Sequence, residues 1–171
     1  MELRIGARTR LVSLLFAFTM LSLAIGAVLL ARTASATPPS GLTATPITVG
    51  NLPGVVRAKF KDVGGFERGT DVSRIVVVRY TVEPGGTFGW HQHGGPVWAV
   101  VNAGTLTFYE ADSGTCRSHL YPAGSAIFDP GDRRHMARNE GSTTVEVYAT
   151  FMLPAGGAPR VDAPDPGICS S

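Results

Sequence analysis

"GWHQHGGPVWAVVNAG", residues 89–104, places two histidines one residue apart between a glycine-rich turn and an apolar run. Side chains alternate faces along a strand, so residues i and i+2 project together. His91 and His93 therefore point the same way, with Gln92 opposite. Two neutral imidazoles on one side of a rigid strand make half of a metal site. By itself the pair also fits ordinary polar strand surface, so its meaning depends on what the rest of the chain brings to it.

The surrounding chain reads as strands. From Ile47 onward no apolar period of 3.6 residues is sustained. Short β-branched runs recur instead at 55–60, 73–82, 97–103, 105–111, 117–122, 125–129, 135–139 and 143–153. Turn chemistry separates most of them, in "EPGG", "HGGP", "AGT", "PAGS", "DPGD" and "NEGS". Many short strands at even spacing predict an all-β sandwich or barrel. Residues 47–153 form that one domain, preceded by an extended arm at 37–46 and followed by a Pro/Gly-rich tail at 154–171.

A second cluster completes the histidine pair. "GSAIFDPGDRRHMARN" sets Gly124, Pro130, His135 and Asn139 in a strand–turn–strand pattern. With Gly85, His91, His93 and Gly104 upstream, these positions resemble the two motifs of the cupin superfamily, over roughly residues 70–153. The resemblance implies a jelly-roll barrel (a double-stranded β-helix) with His91, His93 and His135 converging inside one end. Two positions depart from it. The glutamate of the first motif falls at Val97, with no acidic residue near it in sequence, and the glycine of the second motif's Pro-x-Gly falls at Asp132, beside Gly131. The resemblance therefore carries three imidazole ligands and no carboxylate.

A divalent ion on three neutral imidazoles keeps its charge and an open position, which suits Lewis-acid chemistry and anion binding. Imidazole suits zinc, copper, iron and nickel alike, and manganese stays on the list of candidates. The competing reading is a metal-free barrel in which Val97 marks a decayed site. Alternation puts Val97, Ala99 and Val101 inward, with Trp98 and Val100 outward. On the second-motif strand it puts His135, Ala137 and Asn139 on one side, and Met136 and Arg138 on the other. The pocket is then small and apolar. Tyr109, Tyr121, Tyr148 and Glu146 are candidate acid–base groups whose facing the sequence leaves open, so no catalytic residue is assigned, and His119 lies outside both motifs.

The ends carry addressing information. Arg4, Arg8 and Arg10 precede an apolar run at 11–31, and Ala34-Ser35-Ala36 has the small-x-small form of a signal-peptidase site. Residues 1–36 read as a signal for general secretion, cleaved after Ala36, or as an uncleaved anchor at 11–31. The chain holds 15 Lys+Arg and 13 Asp+Glu; residues 1–36 take four Arg and one Glu, leaving 11 against 12. A basic face for nucleic acid is therefore not expected. Cys116 and Cys169 are the chain's two cysteines, and an even count in an exported chain predicts a disulfide.

Three functions fit this reading. One is a metal-dependent oxygenase or lyase acting on a small molecule. The second is a non-catalytic binder of a small ligand or metal. The third is a structural barrel, with "SRIVVVRYTV" and "TTVEVYATFML" available for homodimer pairing.

Overall fold

The computed structural model describes residues 36–61 and 67–169, so the expected secretion segment lies outside the described residues apart from Ala36. The described residues form ten strands and no helix. Strands β1 (Ser40–Lys61) and β2 (Glu67–Thr87) pair antiparallel from Ser40–Thr87 to Lys61–Glu67. Both outrun the apolar segments that predicted them. The stretch at 37–46 read as an arm is taken into β1 from Ser40 onward. Pro46 and Pro53 are tolerated within it because β1 pairs with β2 alone. An edge strand can spare the ladder donor that proline lacks. The register slips between Ser40 and Leu42, between Pro46 and Thr48, and between Asn51 and Val56.

The middle of β2 pairs β9 (Val145–Leu153), which pairs β4 (Val97–Ala103), which pairs β7 (Ala126–Asp129). On the other side β8 (His135–Arg138) pairs β3 (His91–Gln92) and β5 (Thr105–Asp112), and meets the end of β2 at Thr87. A hairpin joins β5 to β6 (Thr115–Pro122). The result is an all-β jelly-roll barrel.

Alternation decides its inside. Val145, Val147, Ala149, Phe151 and Leu153 of β9 are all buried, and they meet Val76, Val78 and Val82 of β2 and Val97 and Val101 of β4. Burying each Val or Leu side chain is worth about 1.5–3 kcal/mol. Trp98 and Val100 face outward, as the period of two requires, at 44% and 48% exposure.

The tail is laid over one end of the barrel. Its β10 (Val161–Asp162) pairs antiparallel with β3, placing Asp162 opposite His91. The Ala163 amide donates to the Trp90 carbonyl at 3.0 Å. Ala163 closes a third apolar cluster with Trp90, Tyr109 and Met136, against which Cys116 and Cys169 pack. Those cysteines are disulfide-bonded, with Cα atoms 5.3 Å apart. No helix among the described residues is long and apolar enough to cross a membrane.

Candidate metal centre

His91 on β3 and His135 on β8 face each other across one antiparallel rung. His93 follows just past β3, where its amide donates to the Gly131 carbonyl at 2.7 Å. The ring centroids are 4.3 Å apart for His91–His135 and 4.9 Å for each pair that includes His93. One ligating nitrogen from each ring lies within 4.8 Å of the others. All three are withdrawn from water: His91 is 4% and His135 2% exposed, and the His93 side chain 8%.

Each ring is oriented through Nδ1. That atom donates to the Gly89 carbonyl in His91 (2.8 Å), to the Pro159 carbonyl in His93 (2.6 Å) and to the Arg133 carbonyl in His135 (3.0 Å). A carbonyl oxygen only accepts, so the proton sits on Nδ1 and Nε2 is the nitrogen left to ligate. Metal-bound imidazoles are oriented in this way, by a hydrogen bond from the nitrogen that does not ligate. Burial, reinforced by the neighbouring imidazoles, lowers the His91 pKa to about 2 and the His93 pKa to about 4. Both are held in the neutral form that ligates.

A carboxylate completes the cluster. Asp129 ends β7 directly opposite Val97 of β4, and its side chain turns inward beside the histidines. Asp129 is 6% exposed. Oδ1 accepts from the Gly131 amide at 2.6 Å. Oδ2 lies 2.8 Å from His135 Nδ1, within hydrogen-bonding distance, and 3.8 Å from His93 Nε2. Burial opposes ionisation of Asp129, but His135, His93 and the Gly131 amide together hold its pKa below the usual carboxylate value. Imidazole nitrogens and a carboxylate oxygen thus share one buried site. Buried charge persists when it is paired or coordinates a metal. The donor set fits a divalent transition metal, held by His91, His93 and His135.

The cluster opens on a cavity of about 220 Å³. Its walls are largely apolar, with Val97, Ala99, Leu106, Ile127, Val147 and Phe151 among them. Beyond the histidines and Asp129, polar groups reach it from Tyr80 and Arg160. Burial raises the Tyr80 pKa above its ordinary value. Arg160 Nε donates to Asp162 Oδ1 at 2.6 Å, while its Nη2 is buried without a hydrogen-bond partner.

The other motif positions shape the frame. Gly85, Gly104 and Gly124 all have positive φ. Gly131 takes the turn that the resemblance gave to position 132: its φ is +102°, and a Cβ there would lie 2.5 Å from the Gly95 carbonyl oxygen. Asn139 shares its strand face with the histidine but not the cavity. Its amide donates to the carbonyls of Val82 (2.9 Å) and Thr143 (2.8 Å), and its Oδ1 accepts from the Gly141 amide at 3.0 Å.

The four acid–base candidates lie elsewhere. Tyr109 is tied to Glu140 and its pKa is pushed up to about 12 by burial and that hydrogen bond. Glu146 accepts from Asn102, Tyr148 is 38% exposed, and Tyr121 packs against the core from outside the cavity wall. The groups that do reach the cavity, Asp129 and Tyr80, sit in phase with inward-facing Ile127 and Val78, and that phase was the signal available in the sequence. Arg160 lies in the tail, where no periodicity reports on facing.

A family model described as "Cupin domain" matches residues 78–151. No protein of curated function matches the chain. Among solved structures, oxalate decarboxylase from Bacillus subtilis at pH 4.6 is 24% identical, over 53% of this chain and 23% of that one, with a TM-score of 0.45. The cupin domain of a transcriptional regulator from Enterobacter cloacae is 17% identical, over 67% of this chain and 99% of that one, with a TM-score of 0.44. The match thus spans about a quarter of the oxalate decarboxylase chain.

Proposed function

We propose that this cupin domain is a metal-dependent enzyme, an oxygenase or lyase, that holds one divalent transition-metal ion on His91, His93 and His135. Its substrate is a small molecule with an apolar body and one anionic group. The observation that carries the reading is the set of three buried imidazoles, each with Nδ1 committed to a backbone carbonyl. A bound ion supplies Lewis acidity and an open position beside the cavity. The apolar walls exclude water, and the small volume, below the roughly 300–1,000 Å³ of drug-sized pockets, limits the ligand. Arg160 Nη2 supports an anionic group such as a carboxylate, since a buried donor without a partner favours a ligand that accepts from it.

The disulfide supports residence in an oxidising compartment. With the Arg-flanked apolar segment and Ala34-Ser35-Ala36, it fits export by the general secretory route.

The test is calorimetric titration of the metal-loaded protein with benzoate and hexanoate against benzamide and hexanamide, followed by assays of dioxygen uptake and carbon dioxide release on a panel of such acids. The acids should bind at least tenfold more tightly than the amides, and Arg160→Gln should erase that difference. Turnover should vanish in His91→Ala. Tight binding with no turnover across the panel would favour a non-catalytic carrier instead. Equal binding of acids and amides would refute the anionic substrate class.

A further inference from the structure

We propose that Asp129 is itself a ligand of the metal, so that the site is three imidazoles and one carboxylate supplied from the strand opposite position 97. This rests on the metal-centre reading and deepens it. The register pairs Val97 with Asp129 across β4 and β7. Directly opposed residues of an antiparallel ladder project from the same face, with Cβ atoms about 4.5–5.5 Å apart. A carboxylate at 129 therefore reaches the region that a longer acidic side chain at 97 would reach. The resemblance looked for the acidic group in β4, and this chain carries it across the ladder.

Two details of Asp129 point to a ligand: the held Oδ1 and the approach of Oδ2 to His93. Oδ1 is pinned by the Gly131 amide, which fixes the rotamer and leaves one oxygen to work with. That oxygen, Oδ2, is buried, with His135 Nδ1 2.8 Å away. It lies 3.8 Å from the free Nε2 of His93, a separation that two atoms bound to a common ion can adopt. The turn is built to the same end: Gly131 packs against the Gly95 backbone too closely for a side chain, and its amide and carbonyl hold Asp129 and His93 respectively.

The assignment changes the chemistry of the site. A divalent ion on three imidazoles keeps a net +2, whereas one bound also by Asp129 has +1. Divalent ions are then held more tightly, and the pull on an added anion is weaker, so recognition of an anionic substrate falls more heavily on Arg160.

The experiment uses the full-length chain and two probes, zinc for affinity and cobalt(II) for its visible ligand-field spectrum. Asp129→Asn keeps the size and an oxygen for the Gly131 amide. It should weaken zinc at least tenfold in a chelator competition and shift the cobalt bands. Val97→Glu added to Asp129→Asn should recover a substantial part of the lost affinity. Unchanged zinc affinity in Asp129→Asn, in a protein whose His91→Ala variant no longer binds zinc, overturns this inference and leaves the three-histidine centre standing. Weaker zinc with an unchanged cobalt spectrum also overturns it, because Asp129 would then act only by orienting His135. Failure of the wild-type protein to bind either ion overturns both readings. Circular dichroism of metal-free Asp129→Asn checks that the barrel is intact.

Discussion

Replacing both cysteines by serine, Cys116→Ser/Cys169→Ser, isolates what the tail's covalent tie contributes. The two residues are 53 apart in sequence. Closing a loop of that length in the unfolded chain removes conformational entropy worth about 4 kcal/mol at 25 °C in the chain-entropy model. For a domain of this size the corresponding fall in Tm is on the order of 15 °C. The assay is urea unfolding of metal-free protein without reductant, wild type against the double variant. The denaturant slope should rise as well as the midpoint fall, because an unfolded chain without the cross-link exposes more surface. The folded tail should stay docked, since it has ties of its own. β10 pairs with β3, Gly94 donates to the Ala158 carbonyl at 2.9 Å and Ala163 donates to that of Trp90. Metal stoichiometry in the folded double variant should therefore match wild type. A loss of stability below about 1 kcal/mol would refute the entropic account. A large loss of metal with only a small loss of stability would show that the disulfide positions His93 rather than restraining the unfolded chain.

Further outcomes follow from the same contacts. Metal-free protein should lose stability as pH falls below the ordinary histidine value of 6.5. The unfolded chain takes up protons there, while folded His93 and His91 do so only near about 4 and about 2. The slope for each should approach about 1.4 kcal/mol per pH unit between roughly pH 6 and 4.5. A flat profile over that window by thermal unfolding would contradict burial of neutral rings. Asn139→Ala removes three hydrogen bonds from a site with no exposure and should cost about 3 kcal/mol by urea unfolding, with the metal ligands untouched. Gly131→Ala combines a positive φ with a clash against the Gly95 carbonyl. It should destabilise by at least about 1–3 kcal/mol and weaken zinc binding, because the turn holds both Asp129 and His93; wild-type affinity in this variant would argue against that coupling.

What the sequence conveyed and what it withheld have separate physical causes. Strand periodicity is a local property, so 97–103 could be read to its observed ends, and Trp98 and Val100 could be assigned outward. The spacing of His91, His93 and His135 was likewise legible, because two sit in one short segment and the third in a recognisable turn. Asp129 was not legible as a partner of the site. Its role follows from inter-strand register between β4 and β7, which no single segment encodes. The length of β1 was hidden for a similar reason, since prolines that would break a central strand are harmless on an edge. The tail's part was hidden too. That Pro159 orients His93, and that Arg160 reaches the cavity, depend on a docking which the cysteine count hints at but does not place.

The most direct test of the metal centre is elemental mass spectrometry of the gently purified protein, before and after incubation with zinc, copper, iron, nickel and manganese. The account predicts close to one transition-metal ion per chain, absent from folded His91→Ala and His135→Ala. Wild-type protein that stays metal-free with all five ions would contradict it, as would an ion content that both histidine variants retain.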